Sequence, residues 1–481
     1  MHIHVVGVSG TGMGALAGLL KEQGHRVTGS DLAFEPPMGP ALREWGIECV
    51  QGYDAEHLAP APDLVVVGNV CRPENPEVRA AFDRGLEVVH IAEALQRFAL
   101  VGTRPLVIAG THGKTTTAAM AAWALDGAGR APGYLIGGLP ANFPRSFRSA
   151  RTHGGASGEP PFVIEGDEYD TAFFEKTAKF LHYHPQVAVI TSIEHDHVDI
   201  YADFDAYRAA FRGFIRSVPA SGLIVAHAGD PVVVELVREA AQAETIWYAL
   251  EGRALSGAPP HWTVAPVGSD SQGTAFDLFV GGVSAGRARL LVPGCHNVLN
   301  AAAAMAAAVH GFGATVAQVV RSVATFQGVK RRQELLGEPG GVAVYDDFAH
   351  HPTAVRETLQ ALRARHPSGR LWAVFEPRSA TACRRLHQES YASAFGAADQ
   401  VVLAPLGRAN LAREEALDLE RLVEAMRATG QRVELAGGID PIVERLALEA
   451  EPGDVVALLS NGAFGGIHGK VLERLRARIP E

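Results

Sequence analysis

The feature that most constrains the fold of this chain is the segment A-G-T-H-G-K-T-T-T at residues 109–117. An apolar strand at 106–108 precedes it, and an alanine-rich helix at 118–125 follows it. A strand, a glycine turn and a helix in this order direct backbone N–H groups and a helix N-terminus at anionic oxygens, and a lysine at the turn reaches the terminal phosphates of a nucleotide. We therefore predict nucleotide phosphate binding by Gly110, Thr111, His112, Gly113, Lys114 and Thr116, with the Thr115 hydroxyl as a ligand for Mg²⁺.

Composition narrows the class of protein. The length of 481 residues fits about three domains, and 47% hydrophobic with 20% charged residues is typical of a globular enzyme. A formal net charge of −10 argues against a nucleic-acid partner. Four scattered cysteines predict neither a disulfide framework nor a zinc site. Without a leader or a bilayer-length apolar run, we expect a cytoplasmic protein with no membrane partner, either a monomer or a weak homo-oligomer.

The first 102 residues alternate strands and helices. A strand at 2–6, a glycine-rich turn at 7–14 and a helix at 15–21 lead to a second strand that ends at Asp31, where an acidic residue would meet a ribose hydroxyl. The spacing of the glycines is not G-x-G-x-x-G. The turn is therefore compatible with binding of a sugar nucleotide, with binding of NAD, or with tight packing and no ligand. The candidate ligand-binding residues here are Ser9, Gly10, Thr11, Gly12, Met13, Ser30 and Asp31.

Two acidic clusters follow apolar strands in the predicted central domain, residues 103–326. Residues 165–170 follow a strand at 162–164, and residues 194–199 follow a strand at 187–191. Because ligands gather at the carboxyl ends of parallel strands, both clusters should face the phosphate loop, residues 109–114, and their oxygen ligands suit Mg²⁺ held between protein and phosphates. The pair His195 and His197 raises zinc as an alternative, although no cysteine lies nearby.

A helix that opens at residues 293–300 places Asn297 and Asn300 one turn apart, able to contact one ligand together, unless Asn297 only caps the helix. From residue 327 to 481 strands and amphipathic helices alternate again, which predicts a second open, mostly parallel sheet and a third domain. The class is therefore α/β throughout.

These segments together resemble the Mur ligase family, the ATP-dependent amide-forming enzymes of bacterial peptidoglycan synthesis. The resemblance covers essentially the whole chain and rests on G-T-H-G-K-T-T at 110–116, E-G-D-E at 165–168, D-H-V-D at 196–199, H-N-V-L-N at 296–300, G-V-K-R-R at 328–332 and D-D-F-A-H-H-P at 346–352. It implies three domains: a Rossmann-like N-terminal domain, a central ATP-binding domain with the phosphate loop and a Rossmann-like C-terminal domain.

Within the family, the glycine-rich N-terminus and the segment at 346–352 resemble the branch that acts on UDP-N-acetylmuramate. The segments at 137–143, 165–176, 375–379 and 460–468 favour transfer of the murein tripeptide L-alanyl-γ-D-glutamyl-meso-diaminopimelate over free L-alanine. The resemblance implies an acyl-phosphate mechanism in which Lys114 neutralises the transferring phosphoryl group, Thr115 and Glu165 hold one Mg²⁺, and His197 helps to hold a second. It assigns ATP contacts to Asn297, Asn300, Arg332 and Asp347, and substrate contacts to His350, Arg378 and Asn461.

Three other functions stay open from the sequence: the L-alanine ligase with the same chemistry, a nucleotide-linked oxidoreductase and an ATP-hydrolysing binding switch. It is also open which histidine of the pair His195 and His197 has the assigned role, and which arginine of the pair Arg331 and Arg332. Arg332 and Asp347, in the third domain, should reach the phosphate loop only if the domains close.

Overall fold

The structure, a computed structural model, describes residues 1–35, 38–150, 158–257, 259–270, 272–408 and 411–478. The polar Gly/Ser-containing stretch at 145–160 predicts a surface loop. Residues 151–157 of it lie outside the described residues, and within the described part residues 147–148 form a short strand. In the described ranges, strands and helices alternate around three large sheets, which confirms the α/β class. The predicted domain limits at residues 102 and 326 stay a prediction.

The first sheet is parallel, with strand order β3-β2-β1-β4-β5. Its strand Leu64–Val67 is buried at every position because helices cover both faces of the sheet, so an unbroken apolar run is needed. The predicted strands at 2–6 and 26–30 and the predicted helix at 15–21 are confirmed. The elements are β1 (His2–Val6), β2 (Arg26–Asp31), β3 (Glu48–Gln51), β4 (Leu64–Val67), β5 (Val88–His90), α1 (Thr11–Glu22), α2 (Met38–Glu44), α3 (Pro76–Asp83) and α4 (Ile91–Leu95).

The second sheet has the order β17-β16-β15-β14-β13-β12-β6-β9-β7-β8. The strands next to the phosphate loop, β12, β6 and β9, are parallel, so their carboxyl ends meet at one edge. The strands are β6 (Arg104–Ala109), β7 (Gly133–Leu135), β8 (Phe147–Arg148), β9 (Pro161–Gly166), β10 (Asp170–Ala172), β11 (Glu175–Ala178), β12 (Val187–Ile190), β13 (Leu223–His227), β14 (Glu244–Leu250), β15 (Trp262–Asp270), β16 (Gly273–Val280) and β17 (Val283–Leu290). Strands β10 and β11 pair as a separate antiparallel hairpin.

Helices α5 (Lys114–Gly127), α6 (Phe204–Ser217), α7 (Pro231–Ala240), α8 (Cys295–Ala306) and α9 (Val316–Val323) belong to this sheet. Helices α5 and α8 are alanine-rich and buried nearly all round, because small side chains let the two helices pack closely against each other and the sheet. Sequence reasoning assigned no strand to residues 244–290. The edge strand β17 is mostly exposed and shows no alternation, so no apolar pattern marks it.

The third sheet has the order β18-β19-β23-β20-β21-β22 and is parallel except for its edge strand β18. The apolar runs at 371–375 and 455–459 each predict a strand, and both strands are confirmed with the same limits. The elements are β18 (Glu334–Gly337), β19 (Ala343–Asp347), β20 (Leu371–Phe375), β21 (Gln400–Leu403), β22 (Val433–Leu435), β23 (Val455–Leu459), α10 (Pro352–Arg365), α11 (Gln388–Ala394), α12 (Leu419–Ala428), α13 (Ile439–Glu449) and α14 (Ile467–Arg476).

The first and second sheets are joined by side-chain packing. The Phe147 ring lies against Gly18, where even a Cβ would come within 2.2 Å of it, and meets the Trp45 ring edge-on at 4.8 Å. His90 Nε2 lies 3.1 Å from Glu175 Oε2 across the same boundary. In the described part of the chain, every helix is too short or too polar to cross a membrane.

Candidate active site

The phosphate loop has a geometry that requires glycine at two positions. Gly113 has φ +78°, and a Cβ there would lie 2.6 Å from Asn300 Oδ1. Gly110 has φ +133°, and its Cβ would lie 2.1 Å from Thr191 Oγ1. Only glycine tolerates these backbone angles and this crowding. The two glycines let the loop turn tightly, and the turn places the N-terminus of α5 directly beneath an open cavity.

Lys114 is the buried cation of the loop. Its Nζ donates to Gly110 O at 2.7 Å and to Glu168 Oε2 at 2.8 Å. Burial alone would raise the pKa of Glu168, but Lys114 and His197, whose Nε2 lies 3.2 Å from Glu168 Oε1, hold that pKa at about 2. Sequence reasoning did not single out Glu168, although it is the last residue of the E-G-D-E motif at 165–168.

Thr115 and Glu165 form an oxygen-rich corner beside this ion pair. Thr115 Oγ1 donates to Glu165 Oε2 at 2.7 Å, and Gly137 N donates to Glu165 Oε1 at 2.6 Å. Burial, and then the nearby Asp167 carboxylate, raise the pKa of Glu165. A buried carboxylate with excess negative charge next to a hydroxyl is a hard-oxygen donor set, so these residues fit Mg²⁺.

His197 does not belong to the corner that Thr115 and Glu165 form. It pairs with Glu168, and although burial opposes the charge, the hydrogen bond to Glu168 raises the pKa of His197 to about 9. Its backbone has φ +52°, an uncommon conformation for a residue with a side chain. His195 instead packs against the Phe204 ring at 5.5 Å, so His197 is the member of the pair that faces the cavity.

The third domain reaches the phosphate loop through Arg332. Its Nη2 lies 3.3 Å from Thr115 Oγ1, and its guanidinium lies 4.8 Å from the centre of the Phe348 ring. Arg331 turns the other way, donating to Ser460 O at 2.9 Å and Gly462 O at 2.6 Å within its own domain. The structure therefore separates the two arginines that the sequence left open.

The Asp347 side chain binds the backbone of its own domain. Its carboxylate accepts hydrogen bonds from Gln333 N and Ala349 N, both at 2.7 Å. These bonds hold the turn that carries Arg332 next to the end of β19. Asp347 lines the cavity and is fully enclosed, and this burial raises its pKa.

Glu194 forms a second link between the central and third domains. Its Oε2 accepts a hydrogen bond from Thr353 Oγ1 at 2.7 Å and lies 3.5 Å from both His112 Nε2 and His351 Nδ1. Burial acts against ionisation, but hydrogen bonding by His112 holds the pKa of Glu194 at about 2. The two domains are therefore already closed over the phosphate loop.

Two cavities meet at this loop. The first, of 560 Å³, lies between the central and third domains, and its lining includes the predicted residues His112, Gly113, Thr116, Asn297, Asn300, Arg332 and Asp347. The second, of 470 Å³, runs from the glycine turn of the first domain to the phosphate loop, and its lining includes Gly10, Thr11, Gly12, Met13, Thr111, His112, Gly113, Lys114, Thr115, Glu165, His197, Arg332 and His350. The residues that line both cavities are His112, Gly113, Arg332, Ala349 and Ala354, so ligands in the two cavities would meet there.

Asn297 and Asn300 lie on the wall of the first cavity. Asn297 Nδ2 donates to Pro293 O at 2.7 Å, and Asn300 Nδ2 lies 3.4 Å from Asn297 Oδ1. Gly294 is the residue that caps α8, so the interpretation of Asn297 as a helix cap is wrong. His350 lies in the second cavity, with Nε2 3.9 Å from Asp196 Oδ2.

The structure does not bring every predicted substrate residue to these cavities. Ser30 is fully buried and its hydroxyl donates to Glu77, so a ligand contact by this side chain is corrected to a structural role. Asp31 accepts from Ser9 N at 2.8 Å and Leu32 N at 2.7 Å. One oxygen of Asp31 thus holds the glycine turn and the other the residue that follows β2, and among the described residues neither Ser9 nor Asp31 lines the two cavities.

Arg378 and Asn461 lie together at the carboxyl edge of the third sheet, and among the described residues neither lines the two cavities. A Cβ on Gly462 would come within 2.2 Å of the Arg378 side chain, so this arginine lies flat over the loop that follows Asn461. Arg378 Nη1 is 3.7 Å from Glu376 Oε1, and its side chain is 44% exposed. Asn461 Oδ1 is shielded from solvent without a hydrogen-bond partner in the described ranges.

Three family descriptions match successive parts of the chain. The description "Mur ligase family, catalytic domain" matches residues 2–102, "Mur ligase middle domain" matches 108–308, and "Mur ligase, glutamate ligase domain" matches 331–462. Together they account for all three sheets.

Individual relatives are similar along their whole length. An Escherichia coli (strain K12) protein named UDP-N-acetylmuramate–L-alanyl-gamma-D-glutamyl-meso-2,6-diaminoheptandioate ligase is 40% identical over 476 residues, 99% of this chain and 98% of that protein. A UDP-N-acetylmuramate–L-alanine ligase from Chloroflexus aggregans is 36% identical over 99% of this chain and 98% of that protein. The crystal structure of a murein peptide ligase from Psychrobacter arcticus 273-4 covers 100% of both chains with a TM-score of 0.75 and 33% identity.

Proposed function

The chain belongs to the Mur ligase family, and from this premise we propose that it is an ATP-dependent ligase that joins L-alanyl-γ-D-glutamyl-meso-diaminopimelate to UDP-N-acetylmuramate in peptidoglycan recycling. The products are the UDP-muramoyl-tripeptide, ADP and phosphate. The observation that carries the proposal is the meeting of two cavities at one phosphate loop. A ligase must bring a nucleotide and a carboxylate substrate together at the transferring phosphoryl group, and the residues shared by the cavities provide that place.

The first cavity is the proposed ATP site. The purine end would lie near Asn297 and Asn300, and the phosphates would extend to the N-terminus of α5. Lys114 and Arg332 bring two positive charges to the loop, and charge stabilisation of this kind is the main protein contribution to phosphoryl transfer. Thr115 and Glu165 would hold one Mg²⁺, and His197 would help to hold a second one if it gave up its contact with Glu168; such ions supply charge neutralisation on the phosphates when bound.

The second cavity is the proposed site of UDP-N-acetylmuramate. Its diphosphate would lie at the glycine turn, where α1 begins without an acidic residue in its first turn. The lactyl carboxylate would then reach the phosphate loop and take the γ-phosphoryl group, with cleavage of the bond between the γ-phosphorus and the bridging oxygen. The peptide amine attacks the acyl carbon, phosphate leaves, and the amine proton passes to solvent.

The acceptor peptide is proposed to bind on the third domain. Arg378 is partly exposed and only loosely paired, so it is available to a peptide carboxylate. Asn461 is partly exposed at the same edge and would contact the peptide next to Arg378. His350 would lie between this surface and the reacting carboxylate.

The choice of acceptor rests on similarity. The relative named for the tripeptide is 40% identical and the L-alanine ligase 36% identical over comparable lengths. The alternative proposal is therefore UDP-N-acetylmuramate–L-alanine ligase of primary synthesis. We also propose domain limits at 1–102, 103–326 and 327–481, a cytoplasmic location, a monomer or weak homo-oligomer, and no nucleic-acid or membrane partner.

The test measures phosphate release from ATP and Mg²⁺ with UDP-N-acetylmuramate, using free L-alanine in one vessel and the tripeptide in another, and identifies each product by mass. The proposal expects amide product with the tripeptide only. Product with L-alanine alone would establish the alternative, and phosphate release independent of any acceptor would contradict both ligase functions.

A further inference from the structure

We infer that Lys179 binds the carboxylate of the sugar nucleotide that becomes phosphorylated, and so determines preference for a substrate that carries this group. The inference rests on the proposed function. It concerns a lysine that lines the second cavity and has no part in the mechanism described above.

The backbone holds Lys179 rigidly. It is the first residue of a 3₁₀ turn, Lys179–His182, and its N–H donates to Tyr169 O at 3.3 Å. The next residue, Phe180, donates its N–H to Asp167 O at 3.2 Å, and its fully buried ring stacks on Phe214 with centroids 4.7 Å apart. A side chain on such a base is pre-organised for a ligand, because little freedom remains to be lost on binding.

The ammonium group is enclosed but poorly satisfied. The Lys179 side chain is 8% exposed, and Nζ lies 3.6 Å from Asp167 Oδ2 and 4.0 Å from the centre of the Tyr169 ring. At 3.6 Å the contact is an ion pair and not a hydrogen bond. In the described ranges, the three N–H donors of this ammonium make no hydrogen bond within normal distance, so they are open to a ligand in the cavity that Lys179 lines.

Neighbouring charges leave room for another anion at this point. Three carboxylates act on the Lys179 charge, Asp167 most strongly and then Glu168 and Glu165. Glu168 is paired with Lys114 and His197, and Glu165 accepts from the Thr115 hydroxyl and a backbone N–H, so within the described ranges Lys179 has its one ion pair with Asp167. Burial lowers the pKa of Lys179 in spite of Asp167, which is the behaviour of an ammonium with too few partners. An anion entering the cavity would supply them.

The position of Lys179 identifies which anion. Tyr169, over which Lys179 lies, also packs against the His197 ring with centroids 5.4 Å apart, so the lysine is at the phosphate-loop end of the cavity. The diphosphate of a sugar nucleotide belongs at the other end, at the glycine turn. The group that must come to the phosphate-loop end is the carboxylate that reacts.

The experiment compares Lys179→Met with Lys176→Met, a matched change at an exposed lysine three residues earlier. Equilibrium binding is measured without ATP or peptide for UDP-N-acetylmuramate and for UDP-N-acetylglucosamine, which has the same nucleotide and sugar but no lactyl carboxylate. We expect Lys179→Met to weaken binding of the first ligand by about 10- to 100-fold and that of the second by less than about twofold. Lys176→Met should leave both unchanged.

Equal weakening of both ligands would assign Lys179 to the diphosphate and overturn the inference, as would unchanged binding of both. If Lys179→Met does not fold, amine labelling of the wild-type protein replaces it: UDP-N-acetylmuramate should protect Lys179 and UDP-N-acetylglucosamine should not, with Lys176 as the internal reference. Protection by both ligands, or by neither, would contradict the assignment. Because these measurements need no acceptor, they can fail while the wild-type enzyme still makes the tripeptide product, and the reverse also holds.

Discussion

Replacement of Lys114 by methionine is the change that most directly tests the site. The ammonium is buried at the N-terminus of α5, between Gly110 O at 2.7 Å and Glu168 Oε2 at 2.8 Å. Methionine keeps most of the volume and removes the charge. The change therefore leaves the shape of the phosphate loop and deletes the cation that we propose lies closest to the transferring phosphoryl group.

The magnitude follows from the preorganisation of that charge. Removal of one preorganised donor to developing negative charge costs about 2.7–4 kcal/mol, which is a loss of about 10²- to 10³-fold in turnover. Arg332, whose Nη2 lies 3.3 Å from Thr115 Oγ1, remains and limits the loss. Breaking a buried ion pair also destabilises the fold by up to about 3–5 kcal/mol, reduced here because His197 still contacts Glu168 at 3.2 Å.

The two effects can be separated by the double variant Lys114→Met/Glu168→Gln. Neutralising Glu168 removes the carboxylate that the first change leaves short of a partner, so melting temperature should recover while turnover stays low. Turnover is measured as acceptor-dependent phosphate release, and folding by thermal melting. A folded Lys114→Met enzyme that keeps more than about a tenth of wild-type turnover would refute the role of this charge.

Three further predictions concern the geometry around the loop. Gly113→Ala should lower ATP affinity and melting temperature more than Gly129→Ala, because both positions have positive φ, +78° and +75°, but only the first is crowded by another side chain; ligand titration and melting curves test this, and equal effects would contradict it. Arg332→Ala should reduce turnover by about 10-fold or more with a small change in melting temperature, whereas Arg331→Ala should mainly reduce stability, and the reverse pattern would show the assignment to be wrong. The pKa of Glu194, about 2 against an ordinary 4.5, means that its stabilisation is present above 4.5 and lost as pH falls toward 2, so a Glu194→Gln variant should lose less melting temperature than wild type between about pH 5 and pH 3.

Local sequence patterns predicted much of the fold and site. The phosphate loop could be located because its glycines, lysine and flanking strand and helix lie within a few residues of each other. Glu165 was found for the same reason, since it directly follows an apolar strand. The strands at 244–290 were missed, and the edge strand β17 among them is mostly exposed and carries no regular apolar pattern.

By itself, the sequence therefore determined which chemical groups stand at each strand end. The order of its motifs also determined the family to which the chain belongs. The tertiary structure decided which of these side chains come into contact. Lys114 and Glu168 lie 54 residues apart, Arg332 and Thr115 lie 217 apart, and adjacent Arg331 and Arg332 point to different domains. Such contacts depend on strand order within a sheet and on the docking of domains, and neither is encoded in the local spacing of residues.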